Sequence, residues 1–147
     1  MAIYVTSDAH GHVRALDEAL SKISLTSDDT LYVLGDMIDR GPDPVGVIKL
    51  VRSLPNARVL KGNHEQIMLD AIIGQDPLDA ETWDINGGWT TREQLNDMEF
   101  EAYEELVRWM AALPLYAVAE TEERPYLLVH AGIEMKAARA FLLEHGV

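Results

Sequence analysis

The chain has 147 residues, the length of about one domain, and its charged side chains are mostly acidic. With 12 Lys and Arg residues against 25 Asp and Glu residues, the formal net charge is −13 at pH 7. Nucleic acids and anionic membrane surfaces are therefore disfavoured as partners, because basic side chains supply the affinity for both. The absence of cysteine excludes disulfide scaffolds and thiolate metal clusters. The N-terminal residues show no signal-peptide pattern, so we expect a cytoplasmic, single-domain protein over residues 1–147.

The first half of the chain alternates between strand patterns and helix patterns. Residues 3–6, 31–34 and 58–60 are rich in the β-branched and aromatic side chains that strands favour. Between them, apolar residues recur every three or four positions over 13–23 and 47–54, which is the spacing of an amphipathic helix. This alternation predicts an α/β fold in which the three strands form a parallel sheet.

The second half of the chain is mainly helical. Residues 65–113 follow a helical pattern, with breaks at the glycine- and proline-containing segments 74–77 and 86–88. Pro114 ends this region, since a proline disfavours helical geometry in the residue before it. The rest of the sequence predicts two strands and a final helix, over residues 115–119, 126–130 and 135–144.

Polar side chains of the kinds that bind metals follow four of the predicted strands. In open α/β sheets, ligands bind in the crevice outside the carboxyl ends of the strands. The sequence therefore predicts that these side chains meet at one edge of the sheet. They are Asp8 and His10 after the first strand, Asp36 and Asp39 after the second, Asn63 and His64 after the third, and His130 at the end of the last.

Each of these groups alone also has an ordinary structural explanation. Asp8 and His10 would suit a surface turn, Asn63 would suit the cap of a helix, and His130 would suit a satisfied core position. Their occurrence together, in this order and always at a strand end, favours a shared functional site over four separate explanations.

The complete set of motifs resembles the calcineurin-like metallophosphoesterases. The motifs are SDAHGH, GDMIDRG, KGNHE and VHAGI. GNHE together with DRG is typical of the phosphoprotein-phosphatase branch, and GNHEQIMLDAI followed by NGGW is most similar to the small bacterial and phage serine/threonine phosphatases of the lambda-phosphatase type. The resemblance implies a β-sandwich core flanked by helices, within the α/β (layered α+β) class.

The resemblance also implies a pair of metal ions and their ligands. Asp8 and His10 would bind one ion, Asn63 and His130 would bind the second, and the Asp36 carboxylate would bridge the two. Carboxylate, amide and imidazole ligands suit manganese first, with iron, zinc or nickel as alternatives. Two divalent ions would lower the pKa of a water molecule, and the resulting hydroxide would attack phosphorus directly, without a covalent intermediate.

The remaining motif residues would handle the substrate. His64 would be the general acid that protonates the leaving oxygen, and Asp39 would orient its imidazole and favour the protonated form. Arg40 would bind the phosphate, because a guanidinium group matches two phosphate oxygens at once, and Asn63 would contact the phosphate as well.

The sequence departs from the resembled family in its length. Only 17 residues, 131 to 147, follow His130. In the resembled family, further strands follow this point and carry another metal-binding histidine and a second phosphate-binding arginine. We therefore expect part of the second sheet to be missing and the Asn63–His130 site to bind its ion more weakly than the other site. An open sheet of this kind favours self-association.

The resemblance implies a metal-dependent phosphomonoester hydrolase. The first hypothesis is a protein serine/threonine phosphatase that acts on phosphoproteins or small phosphoesters. The alternative is a bis(5'-nucleosyl)-tetraphosphate hydrolase of the same superfamily, a branch that tends to carry Asp where this chain has Glu65. A third hypothesis is a non-catalytic form that binds metal or phosphate without turnover.

Overall fold

The computed structural model of the protein describes residues 1–74 and 76–144. In its first half, a parallel sheet has one strand in the centre and one on either side, in the order β1-β2-β3. A helix joins each strand to the next. The elements are β1 (Ile3–Thr6), α1 (Val13–Ile23), β2 (Thr30–Val33), α2 (Pro44–Ser53) and β3 (Ala57–Val59). The predicted parallel sheet is confirmed, and each strand boundary lies within one residue of the prediction.

The middle of the chain folds into a succession of short helices. The two breaks predicted from glycine and proline are confirmed. A third break at 97–99 was not predicted, because this segment contains neither residue type. In the described part of the chain, no helix combines the length and the apolar character needed to cross a membrane. The helices are α3 (Asn63–Ile73), α4 (Pro77–Ile85), α5 (Trp89–Asn96) and α6 (Phe100–Ala111).

A second, antiparallel sheet and a last helix complete the described chain. The Lys61 backbone N–H donates to the Pro114 carbonyl oxygen at 2.8 Å, and the Tyr32 hydroxyl donates to the Val118 carbonyl oxygen at 3.4 Å. These bonds attach the second sheet to the parallel one. The predicted α/β class, with two sheets and flanking helices, is confirmed. The elements are β4 (Tyr116–Ala119), β5 (Tyr126–Val129) and α7 (Met135–Glu144).

The core is built around the central strand β2. Leu31, Tyr32 and Val33 are at most 3% exposed, because both faces of a central parallel strand are covered. Fully burying an aliphatic side chain of this size contributes about 1.5–3 kcal/mol, so this strand anchors the loop that follows it. The helix α2 adds buried residues to the same core, and these are Val45, Val47, Ile48 and Val51.

An Asp-Pro pair begins both α2 and α4. The carboxylate of Asp43 accepts a hydrogen bond from the Gly46 N–H at 2.9 Å, and the carboxylate of Asp76 accepts one from the Leu78 N–H at 2.9 Å. The proline that follows each aspartate lacks an N–H group. This costs nothing at the first helical position, because an N–H group there has no acceptor within the helix. These caps therefore fix where the two helices begin.

The buried carboxylate of Asp29 ties the start of the chain to β2. It accepts hydrogen bonds from the backbone N–H of Ala2 at 2.6 Å and from the backbone N–H and hydroxyl of Thr26 at 3.0 and 2.8 Å. These bonds hold the pKa of Asp29 below its ordinary value, and the bond from Ala2 has the largest effect. A group with a lowered pKa in the folded state stabilises the fold while it is ionised.

The stability that Asp29 contributes is expected to depend on pH. It should be fully present above about pH 4, the pKa of an aspartate in an unfolded chain, and lost as the pH falls through the lower folded-state pKa. Urea unfolding of the wild type and the Asp29→Asn variant should therefore show a difference in midpoint at pH 7 that shrinks below pH 4. A difference that stays constant down to pH 2 would contradict the assignment.

Candidate functional site

The loops that follow β1 and β2 are held together backbone to backbone. The N–H groups of Asp8, His10 and Gly11 donate to carbonyl oxygens of the second loop at 3.2, 2.9 and 2.9 Å. A side chain at Gly41 would not fit, since its Cβ would lie 2.0 Å from the His10 carbonyl oxygen. The two loops therefore form one rigid unit at the carboxyl edge of the parallel sheet.

Left-handed backbone is concentrated in this unit. Six non-glycine residues of the described chain have a positive φ, and one of them, Ser24, simply ends α1. Such a conformation costs about 1–3 kcal/mol in a residue with a side chain, and it persists where the surroundings enforce it, often at functional sites. The other five are all residues that the sequence assigned to the site: Asp8 (57°), His10 (40°), Asp36 (54°), Asp39 (70°) and Arg40 (65°).

Asp36 lies at the centre of the predicted metal ligands. It is 3% exposed, and its Oδ1 accepts a hydrogen bond from the His64 backbone N–H at 3.0 Å. Its Oδ2 lies 3.6 Å from Nε2 of His10 and 3.4 Å from Nε2 of His130. One carboxylate oxygen therefore faces an imidazole on each side, as a bridge between two ions requires.

Both imidazoles are oriented by backbone carbonyl groups. Nδ1 of His10 lies 2.8 Å from the Ile38 oxygen, and Nδ1 of His130 lies 2.8 Å from the Leu34 oxygen. A carbonyl oxygen can only accept, so Nδ1 carries the proton in each ring and the lone pair of Nε2 points into the site. Histidines that bind metals are commonly held by such a bond from the other nitrogen.

The side chains around His130 form a site that suits a cation. Its Nε2 lies 2.9 Å from the amide oxygen of Asn63 and 3.4 Å from the carboxylate of Asp36. Three electron-rich atoms thus converge on one point, which is the arrangement that a metal ion stabilises. Asp8 contributes a carboxylate oxygen 3.9 Å from Nε2 of His10. The structure thereby brings together all five residues that the sequence proposed as metal ligands.

The predicted acid–base pair is also formed. Nδ1 of His64 donates to Oδ2 of Asp39 at 2.7 Å, and the two side chains are 1% and 0% exposed. The imidazole of His64 meets that of His10 edge-on, with ring centroids 4.7 Å apart. Ligand atoms of His10, Asp36 and His64 lie within 4.8 Å of one another, so the pair directly adjoins the metal ligands.

Arg40 connects the two parts of the site. Arg40 is exposed, and its guanidinium group contacts both histidines. Nη1 lies 3.1 Å from Nε2 of His10, and Nη2 lies 2.9 Å from Nε2 of His64. Its backbone N–H donates to the Gly87 carbonyl oxygen at 3.0 Å, which places the predicted NGG turn beside the site. A guanidinium group in this position can bind a phosphate that lies between the metal ligands and His64.

Two residues that contact Asp39 were not assigned to the site from the sequence. The indole N–H of Trp83 donates to both carboxylate oxygens, and the hydroxyl of Thr91 donates to Oδ1. Neither residue belongs to a motif whose spacing indicates a function. The general rule that a buried indole N–H finds a partner could have indicated that Trp83 needed one.

Glu65 is a third residue with a structural part in the site. It is 0% exposed, and its carboxylate accepts hydrogen bonds at 2.8 Å from the backbone N–H groups of Asp36, Met37 and Gly62. Burial raises the pKa of Glu65 above its ordinary value, while these three bonds act in the opposite direction. The side chain therefore fixes the loop that carries the bridging aspartate.

Replacing Glu65 with glutamine is expected to destabilise the fold. The amide oxygen of glutamine can accept hydrogen bonds from two of the three N–H groups. The amide nitrogen is itself a donor, so the third N–H group would lose its acceptor. A buried unpaired donor costs about 1–3 kcal/mol, which urea unfolding would measure as a lower free energy of unfolding. The matched Glu81→Gln change on the exposed side of α4 should stay within about 0.5 kcal/mol. Equal stability of the two variants would contradict this role of Glu65.

Known proteins similar to this chain are named for hydrolysis of phosphorus esters and anhydrides. The symmetrical bis(5'-nucleosyl)-tetraphosphatase of Erwinia tasmaniensis is 32% identical over 136 residues, and that of Proteus mirabilis is 33% identical over 138 residues. Each alignment covers 90% of this chain and 45% of the relative. The chain therefore spans less than half the length of these relatives.

Solved structures and a family model agree with this similarity. A metallophosphoesterase from Sphaerobacter thermophilus is 27% identical with a TM-score of 0.56, over 80% of this chain and 42% of that one. A serine/threonine phosphatase from Saccharomyces cerevisiae, 21% identical with a TM-score of 0.65 over 90% and 38% of the two chains, shares the fold. The model of the calcineurin-like phosphoesterases matches residues 1–144. The chain therefore belongs to the calcineurin-like phosphoesterase family.

Proposed function

We propose that this chain carries the metal centre of a hydrolase that cleaves bis(5'-nucleosyl) tetraphosphates symmetrically. The observation that carries the chemistry is the position of Asp36, with one oxygen facing His10 and His130 at 3.6 and 3.4 Å. The His64–Asp39 pair and Arg40 adjoin it. The substrate class is supported by 32–33% identity to two symmetrical tetraphosphatases over 90% of the chain.

The side chains of the site divide the work of phosphoester hydrolysis among them. Arg40 holds a phosphate group by two parallel hydrogen bonds, on the side where His64 presents its Nε2. Nε2 of His64 faces the donor Arg40 in the structure, so it takes up a proton from solvent when Arg40 turns to the phosphate, and then passes that proton to the leaving oxygen while Asp39 keeps the ring in position. Ions held by the five ligand residues would supply positive charge and lower the pKa of a water molecule.

Manganese is the ion that we propose first. The family is metal-dependent, and the ligand set consists of carboxylate, amide and imidazole groups without any thiolate. Such ligands suit manganese, iron, zinc or nickel better than soft ions. Positive charge in the site also matters for substrate binding, because the chain carries a net charge of −13 and a tetraphosphate is itself strongly anionic.

The protein-phosphatase hypothesis rested on the GNHE, DRG and NGGW motifs, with Glu65 as the residue that favoured it over its alternative, and the relatives support the alternative better. The structure offers a physical reason for the weakness of that criterion. Glu65 is fully buried and bonded to three backbone N–H groups, so it supports the Asp36 loop and does not line the open side of the site. Its identity therefore carries little information about the substrate.

A comparison of substrates tests the proposal. The chain is incubated with Mn²⁺ and either diadenosine tetraphosphate, a phosphoserine peptide or an aryl phosphate, with Asp36→Asn as the inactive control. We expect the tetraphosphate to be the preferred substrate and ADP to be its single nucleotide product. Faster hydrolysis of the phosphopeptide would favour the protein-phosphatase hypothesis. Release of ATP and AMP would overturn the proposal. Absence of turnover by a protein that has bound Mn²⁺ would also overturn it.

A further inference from the structure

We propose that Trp83 and Thr91 are positioning residues that fix the Asp39 carboxylate and, through it, the imidazole of His64. The inference rests on the proposed function, because it concerns the proton that His64 supplies. It goes beyond the His64–Asp39 pair by assigning two further side chains, from α4 and α5, to the acid–base machinery.

Thr91 grips Asp39 at two points. Its hydroxyl oxygen accepts a hydrogen bond from the Asp39 backbone N–H at 2.9 Å, and its hydroxyl donates to Oδ1 of Asp39 at 2.6 Å. Asp39 has a φ of 70°, a left-handed conformation that a residue with a side chain seldom adopts unaided. Because Thr91 is 0% exposed, no water competes for these bonds. The threonine therefore holds both the backbone and the carboxylate of Asp39.

Trp83 holds the carboxylate from another direction. Its indole nitrogen lies 3.0 Å from Oδ1 and 3.2 Å from Oδ2 of Asp39. The ring is fixed in turn by the guanidinium group of Arg92, which lies 5.0 Å from the ring centroid and pairs with Asp84. Gly88 leaves room for the indole, since a Cβ there would lie 2.2 Å from the ring. The indole is thus packed in the position from which it donates to Asp39.

Together the two residues determine which way His64 faces. Thr91 and the shorter of the two Trp83 contacts hold Oδ1 of Asp39, while Oδ2 accepts from Nδ1 of His64 at 2.7 Å and lies 3.2 Å from the indole nitrogen. The opposite nitrogen, Nε2, then points to the open side, where Arg40 lies 2.9 Å away. Without the two donors, the carboxylate could rotate about its Cβ–Cγ bond, and the imidazole would lose its fixed direction. Proton transfer is sensitive to the position of Nε2 relative to the leaving oxygen, and a misplacement of about 1 Å can cost roughly 100-fold in rate.

The experiment compares variants that remove one donor each. Trp83→Phe keeps an aromatic ring but removes the N–H, Thr91→Val removes the hydroxyl, and Thr91→Ser restores it. The matched control is Trp109→Phe, because Trp109 also lies under an arginine, Arg52 at 5.2 Å, and among the described residues no hydrogen bond joins its indole to the site. Turnover is measured with an alkyl and an aryl phosphate, and Mn²⁺ binding is measured by titration.

We expect Trp83→Phe and Thr91→Val to lower kcat on the alkyl phosphate by roughly 10- to 100-fold, the usual effect of losing a supporting hydrogen bond. The loss should be much smaller on the aryl phosphate, whose leaving group needs no proton. KM and Mn²⁺ affinity should stay unchanged, and Thr91→Ser should restore most of the turnover. Equal losses on both substrates, or losses no larger than those of Trp109→Phe, would overturn the inference.

A nuclear magnetic resonance readout separates this inference from the proposed function. In the ¹⁵N-labelled chain, the His64 Nδ1–H proton should exchange slowly with water, and Trp83→Phe should speed that exchange while Trp109→Phe does not. If the wild type shows this behaviour but no metal-dependent turnover, the proposed function fails and the positioning role stands. An exchange rate unaffected by Trp83→Phe sinks the positioning role. Trp83→Phe decides the matter even if Thr91→Val does not fold.

Discussion

Replacing Asp36 with asparagine is expected to weaken metal binding more than any other single change. Oδ1 would still accept the His64 backbone N–H, so the loop should keep its position. At the position of Oδ2, however, an amide N–H₂ group would donate to Nε2 of His10 and His130 instead of binding a cation. Because one carboxylate serves both sites, we expect Mn²⁺ affinity to fall by more than the roughly 10- to 100-fold seen for supporting residues.

Isothermal titration with Mn²⁺, checked by elemental analysis of the purified protein, measures this effect. The matched control is Asp70→Asn, which makes the same change of charge on the exposed side of α3, where Asp70 bonds to Gln66. The control should bind Mn²⁺ like the wild type. Two ions bound per chain in Asp36→Asn, at wild-type affinity, would contradict the bridging role.

Replacing His64 with asparagine is expected to lower turnover by roughly 10²- to 10⁴-fold, the usual contribution of general acid–base catalysis. Metal content should not change, because the contact between His64 and Asp36 runs through the backbone N–H, which the substitution keeps. The Asp39 carboxylate keeps its bonds from Trp83 and Thr91, so the chain should still fold.

The leaving group distinguishes a general acid from a structural residue at position 64. The loss should be largest for alkyl phosphates and should shrink for aryl phosphates with acidic leaving groups. His12→Asn is the control, since His12 is exposed at the start of α1 and its side chain caps nothing. Asparagine is favoured at that position, so the control should keep full stability and turnover. Identical losses on both phosphates would remove His64 from the role of general acid.

The fold was predictable from the sequence where local pattern and burial agree. The β-branched residues of β2 and the helical spacing in α1 and α2 each point to the element that forms. The break before α6 was not predicted because Asp97 is the only residue of the segment 97–99 that favours turns, and the segment contains neither glycine nor proline. Such a break depends on how α5 and α6 pack against their neighbours, and no local pattern encodes that.

The metal ligands of the site were predictable because each belongs to a motif that follows a strand. The ligands around Asp36 follow strand ends, and a parallel sheet brings strand ends to one edge. Trp83, Thr91 and Glu65 act through hydrogen bonds that mostly join residues far apart in the sequence, and residue type alone does not indicate such bonds. The left-handed backbone of the loops was not predicted either, because Asp and His adopt a positive φ more often than most residues but still only rarely, and Arg has no such preference.

The ligands of the candidate metal centre come from opposite ends of the described chain. Asp8 follows the first strand and His130 directly follows the last, yet with Asp36 their ligand atoms lie within 4.8 Å of one another. Two ions joined by Asp36, one bound by Asp8 and the other by His130, would act as a reversible cross-link that closes one of the longest loops the chain can form. The unfolded chain has no such ligand set, so binding adds directly to stability. A chelator would therefore be expected to lower the stability of the metal-bound chain as well as its activity.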